Sequence, residues 1–226
     1  MYYIKRFFVV FGVLSSCLGF GQENLTGYFQ SDIALKYKVA PHYSHSFKVA
    51  QRAYTYEDDF SYRIRQIDLV HFSSFRVDSK QGLALGIQYR FRESFDEPEE
   101  NELRIVEQYK YSHSNETLNM GSRFRAEQRI SPSLTIHRFR YRLAIDFPLK
   151  GEELAVGDPY LSASAEALLS VAKGEKPEYD QRLTSHVGWL LGQGTKLEVG
   201  AEYRAEDYTH TTEHAFFLLT SLVFSL

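Results

Sequence analysis

The chain has 226 residues, with 26 basic against 29 acidic side chains and a net charge of −3. That near balance removes any general electrostatic argument for nucleic-acid binding, and a single cysteine leaves no disulfide framework or thiolate metal site. Mean hydropathy is −0.36 and no interior apolar run suits a helical span, which excludes a helical transporter but not a barrel that turns only alternate residues to lipid.

The chain opens with a basic pair, Lys5 and Arg6, then an apolar run from Phe7 to Leu14, then Gly19-Phe20-Gly21 before Gln22. This is the layout of an export signal, so residues 1–21 are expected to be removed and 22–226 to form the mature domain. A second reading places lipid on Cys17, because Leu14-Ser15-Ser16-Cys17 has lipoprotein spelling. Beyond the signal, 16 Tyr and 17 Phe suit aromatic girdles at two membrane interfaces.

Strand-period alternation then recurs to the C-terminus, with no convincing long helix. The first candidate runs from Leu25 to Tyr37 and the second from about Ser46 to Thr55. The third covers Phe60 to Ser73, where Phe60, Tyr62 and Ile64 alternate before the phase slips to Ile67 and Leu69. One extra residue in a β-bulge predicts that slip. The fourth sets Leu83, Leu85, Ile87, Tyr89 and Phe91 against Gln88, Arg90 and Arg92.

The fifth opposes Leu103, Ile105, Tyr109 and Tyr111 to Glu102, Arg104, Gln108 and Lys110, with Glu107 as an exception on the apolar side. The sixth carries Arg123, Arg125, Glu127 and Arg129 on its polar face. Asn115-Glu116-Thr117 just before it reads as a turn. The seventh, Ser133 to Phe147, is the clearest: Phe139, Tyr141, Leu143, Ile145 and Phe147 oppose Arg138, Arg140, Arg142 and Asp146.

In the eighth, a smooth apolar face of Ala163, Ala165 and Ala167 alternates with Ser162, Ser164 and Glu166. The ninth places Arg182, Thr184 and His186 opposite Leu183, Val187 and Trp189, and Gly192-Gln193-Gly194 forms a compact turn. The tenth carries Lys196, Glu198, Glu202 and Arg204 on its polar side. The last, Ala215 to Leu226, is apolar on both parities and does not declare its facing.

These segments predict an all-β fold, an antiparallel closed transmembrane β-barrel. Eleven candidates are visible, but a bacterial single-chain barrel closes with an even number. Ten strands are therefore expected, with twelve the alternative. A periplasmic C-terminus would place the Thr209–Thr212 and Ala172–Asp180 connections outside the cell.

The candidate site is the charged face: Arg90, Arg92, Arg104, Arg123, Arg125, Glu127, Arg138, Arg140, Arg142, Asp146, Glu166, Arg182, Glu202 and Arg204. Arginine's planar group bridges several acceptors, so these rows close a lumen as readily as they line a path. An anion path would need unpaired arginines at a constriction. No catalytic, cofactor or metal residues emerge, because no glycine–x–serine–x–glycine elbow or metal-ligand cluster is present.

The chain resembles the bacterial domain of unknown function 2490 family. Gly86-Ile-Gln-Tyr-Arg90, Arg123-Phe-Arg-Ala-Glu-Gln-Arg129 and Arg138-Phe-Arg-Tyr-Arg142 carry the likeness, followed by Tyr160-Leu161 with Glu166 and by Gly200-Ala-Glu-Tyr-Arg204. The resemblance implies an outer-membrane barrel and transfers no catalytic residue, substrate or cofactor. The expected partners are outer-membrane lipid and a small anionic solute, with no nucleic acid, and a monomer is favoured over an oligomer. Two other classes stay open: an exported soluble barrel that binds a small ligand, and a membrane-embedded hydrolase built on one Ser or His.

Overall fold

Alternation with a period of two lets each segment bury one face and expose the other, and eleven such segments pair edge to edge. In the computed structural model, residues 24–114, 118–151 and 154–226 are described. The expected signal with Cys17, and the Asn115-Glu116-Thr117 turn, lie outside the described residues. No helix among the described residues is long and apolar enough to cross a membrane.

The strands are β1 (Leu25–Ala40), β2 (Tyr43–Tyr56), β3 (Phe60–Arg76), β4 (Gln81–Phe91), β5 (Glu102–Ser114) and β6 (Asn119–Ile130). They continue with β7 (Thr135–Pro148), β8 (Pro159–Ala172), β9 (Glu178–Gly192), β10 (Thr195–Glu206) and β11 (Glu213–Ser225). Neighbours in sequence pair antiparallel, and β1 pairs with β11 to close the barrel.

That closure corrects two expectations. The barrel has eleven strands, not ten or twelve, and its seam between β1 and β11 is parallel. An odd number of alternating strands brings the first and last to the seam pointing the same way, so a parallel ladder is the geometric consequence. The eleven periodic segments were all real strands; the even-number rule misled because it assumes antiparallel closure.

The bulge predicted in the third strand is present. Arg52 faces Gln66 while Ala53 faces Ile64, so Arg65 is the extra residue. Before the bulge Arg63 and Arg65 reach Asp96; after it Gln66 and Asp68 turn inward, both buried, with Gln66 donating to Asp68.

Within the strands the exposed large side chains lie on the outer wall. Leu85 is 65% exposed and Tyr141 50%, and Ile33, Val49, Ile87, Leu143 and Leu183 share that surface. The residues between them, among them Arg90, Arg104, Glu127, Glu166, Arg182 and Arg204, are buried. Glu107 keeps its place on the outer face, opposite Leu85 and Ala126. The undeclared last strand turns Phe217 and Leu219 inward and Leu218 outward.

Glycine marks two places where an inward ring lies flat on the wall. A Cβ on Gly86 would sit 2.4 Å from the Phe72 ring, and one on Gly188 would sit 2.3 Å from the Tyr160 ring. The links after β2, β4, β6, β8 and β10 share one rim, called the first rim below. Those after β1, β3, β5, β7 and β9 share the second rim with the C-terminus.

Candidate functional site

An eleven-stranded barrel encloses more space than the roughly eight strands whose side chains just fill the interior. Long arginines cross that width and meet carboxylates from neighbouring strands. Arg90 donates to both oxygens of Asp68, at 2.7 and 2.9 Å. Glu102 accepts from Arg129 at 2.9 Å and from Arg104.

Further along the wall, Glu127 accepts from Arg140 at 2.8 Å and Arg125 at 3.4 Å. Arg140 also donates to Glu166 at 2.5 Å, and Arg123 reaches the other oxygen of Glu166 at 2.7 Å. Beyond it Arg204 donates to Glu202 at 2.6 Å, and Thr184 donates to the same carboxylate at 2.8 Å. Arg182 stands 3.6 Å from Glu206 and 3.9 Å from Asp180. Arg138 donates to Ser170 at 2.7 Å.

Three of the sequence-named residues stand apart. Arg92 lies just past β4 and bonds Glu99 of the β4–β5 loop. Arg142 and Asp146 face the lumen but form no ion pair among the described residues, and the Arg142 Nε is buried without an acceptor. Glu166, in register with Arg142, is engaged by Arg123 and Arg140 instead.

Toward the first rim the charges give way to a ring cluster. Tyr28 stacks on Phe217 with centroids 4.7 Å apart and meets Tyr54 at 5.1 Å. Arginines lie on these faces: Arg204 over Phe217 at 3.8 Å, Arg63 over Tyr54 at 4.3 Å, Arg52 over Phe217 at 4.9 Å. Such contacts hold a guanidinium against a ring quadrupole where water is scarce.

The β4–β5 loop folds onto this cluster. Asp96, buried, accepts from the Tyr54 hydroxyl at 2.9 Å and from Arg63 at 2.6 Å. Burial acts to raise its carboxyl, but the bonds from Arg63 and Tyr54 and the charge of Arg65 outweigh it, so it titrates below its ordinary value. Glu99 of the same loop pairs with Arg65 at 3.3 Å.

Arg52, Arg65, Asp68, Asp96 and Asp180 were missed in the sequence. For Asp68 a signal existed, because the β3 phase slip puts it on the inner face. Asp96 carries none, since a loop has no period.

The outer wall holds one grouping relevant to hydrolysis. His45 Nδ1 lies 3.0 Å from His71 Nε2 and 3.2 Å from Ser73 Oγ. One nitrogen serves both neighbours and, among the described residues, no carboxylate bonds either ring, so the base lacks the orienting acid of a triad.

The motif segments thus lie on β4, β6, β7, β8 and β10, and every inward arginine they supply except Arg142 has an ion pair inside the barrel. A family model described as a protein of unknown function, DUF2490, matches residues 30–215. The chain belongs to this family. The match spans β1 to the start of β11, so it takes in the whole charged interior. No curated protein and no solved structure matches the chain.

Proposed function

We propose that this DUF2490 member is a bacterial outer-membrane barrel, exported by residues 1–21 and monomeric in the bilayer. Its interior is occluded toward the first rim by paired charges and stacked rings. It serves as a structural wall or a narrow path for small anions, not as a wide pore.

One observation carries the reading: large apolar and aromatic side chains cover the outer wall while the guanidinium groups are enclosed. A freely dissolved protein would gain by the opposite arrangement, since apolar area left in water costs about 25 cal/mol per Å2. Lipid removes that cost, and closure satisfies every strand edge.

The test is insertion and conductance. The purified chain, refolded into zwitterionic lipid vesicles, should gain protease-resistant strands, and planar bilayers should show conductance far below that of an open porin. A detergent-free, monomeric protein that ignores vesicles would overturn membrane placement; large single-channel steps would overturn occlusion.

A further inference from the structure

The second rim differs from the first in what lines the lumen. Here many inward positions carry small residues, including Gly82, Ala84, Gly121, Ala144, Ser162 and Ser164, beside the Tyr160 ring that lies on Gly188. Small side chains leave room. A cavity of 330 Å3 opens between the β1–β2 and β3–β4 turns and reaches the lumen side of β5. That volume falls in the range of small-molecule pockets.

The cavity is cationic. Lys38, Arg76, Lys80 and Lys110 line it, and among the described residues none of the four has an ion pair. Asp78 is the one carboxylate in the lining, and it is already engaged. It accepts the backbone N–H groups of Lys80 and Gln81, each at 2.7 Å, and the Gln81 amide at 2.8 Å. Those bonds shape the turn that presents Lys80 and spend the carboxylate's acceptors locally.

Deeper in, the cationic character continues. Lys110 stands directly opposite Arg123, which stands opposite Arg142. Like charges facing each other across strands destabilise a sheet, and only Arg123 of the three has an ion-paired carboxylate. Arg142 keeps a buried Nε with no acceptor. Among the described residues three arginines form no ion pair, Arg52, Arg76 and Arg142, and the last two belong to this cationic run.

We propose that the second-rim cavity binds a small, multiply charged oxyanion, a phosphate ester or polycarboxylate, between Lys38, Arg76, Lys80 and Lys110. Arg76 supplies the planar fork that takes two oxygens at once, and the lysines supply point charges around it. Lys110 and Gln108 face the lumen, so the ligand arrives as a dissolved solute and not as a lipid headgroup. The assignment rests on the membrane-barrel reading, because only an enclosed lumen keeps these cations together and away from bulk counterions.

The experiment titrates inorganic pyrophosphate into the barrel in zwitterionic detergent at fixed ionic strength, with chloride as the comparison anion. Saturable pyrophosphate binding is expected, and Arg76→Gln and Lys110→Gln should each weaken it about tenfold or more. Lys173→Gln, on the opposite rim, should leave it unchanged. Binding that is absent in a correctly folded barrel, that ignores both substitutions, or that appears only with phosphatidylglycerol vesicles would overturn the site. Insertion into neutral vesicles is scored separately, so loss of the membrane reading is distinguishable from loss of the ligand.

Discussion

Tyr28 and Phe217 are direct register partners across the parallel seam, and their rings stack 4.7 Å apart inside the barrel. Four residues along the same seam, Ser221 donates to Asp32, its own register partner, at 2.7 Å. The closure is therefore held by side chains inside the lumen as well as by the backbone ladder. Phe217 is 1% exposed and also carries the Arg204 guanidinium.

Phe217→Ala should thus cost about 3–5 kcal/mol, the range for deleting a buried aromatic. Phe224→Ala on the same strand, part-exposed on the outer wall, should cost much less. Urea unfolding followed by tryptophan fluorescence of Trp189 would compare them.

Glu127 is the anion on which Arg140 and Arg125 converge, and its carboxylate is 2% exposed. Removing one partner of a buried pair leaves the other charge uncompensated, at about 3–5 kcal/mol. Glu127→Gln should fall in that range. Combined with Arg140→Gln it should cost less than the sum of the two, and a double-mutant cycle on unfolding free energies measures the difference.

Leu85 lies on the outer wall beside Glu107 in register. In a bilayer Leu85→Arg should destabilise the barrel by about 2–4 kcal/mol if it sits near the midplane. On a water-facing surface the same change is worth only about ±0.5 kcal/mol. Glu107→Leu should act in the opposite sense in a bilayer, since it removes a carboxylate from the apolar outer face. Parallel unfolding of both variants in lipid vesicles reads the sign.

Gly86→Ala should be destabilising by about 1–3 kcal/mol through overpacking, because the added methyl meets the Phe72 ring. Phe72→Ala in the same chain should recover part of that loss by vacating the space. A recovery of zero would show that the ring does not lie on Gly86 in solution.

Asp96 gives a pH dependence with a defined sign. Its folded pKa lies below the unfolded value of about 3.9. Its contribution is therefore complete above that value and is lost as pH falls through the lower folded pKa. Hydrogen exchange of residues 92–101 should accelerate below about pH 4 and should be fast at neutral pH in Asp96→Asn. Unchanged protection in that variant would mean the loop is held without the carboxylate.

Much of the architecture was legible because the barrel repeats one simple rule. Phe139 to Phe147 alternate with Arg138 to Asp146, and that parity separates rings from guanidiniums; the expectation of a membrane barrel then set the rings outside. The bulge at Arg65 was visible as a phase slip for the same reason. Asp96 was not legible, because a loop residue reaches its partners by a path that no periodicity encodes. Nor was the freedom of Arg142, since Glu166 stands in register with it and only side-chain geometry shows that carboxylate taken by Arg123 and Arg140.

The sequence by itself determined eleven periodic segments and which residues share a face in nearly all of them, because period-two alternation is a local property, although it led to an expected wall of ten strands. Tertiary structure alone decided that the count stays odd, that β1 and β11 run parallel, and that Phe217 rather than Leu218 points inward. It also decided which cations go without a carboxylate. Closure joins residues nearly two hundred positions apart, and the pairing of charges across a lumen depends on distances that only the closed wall sets.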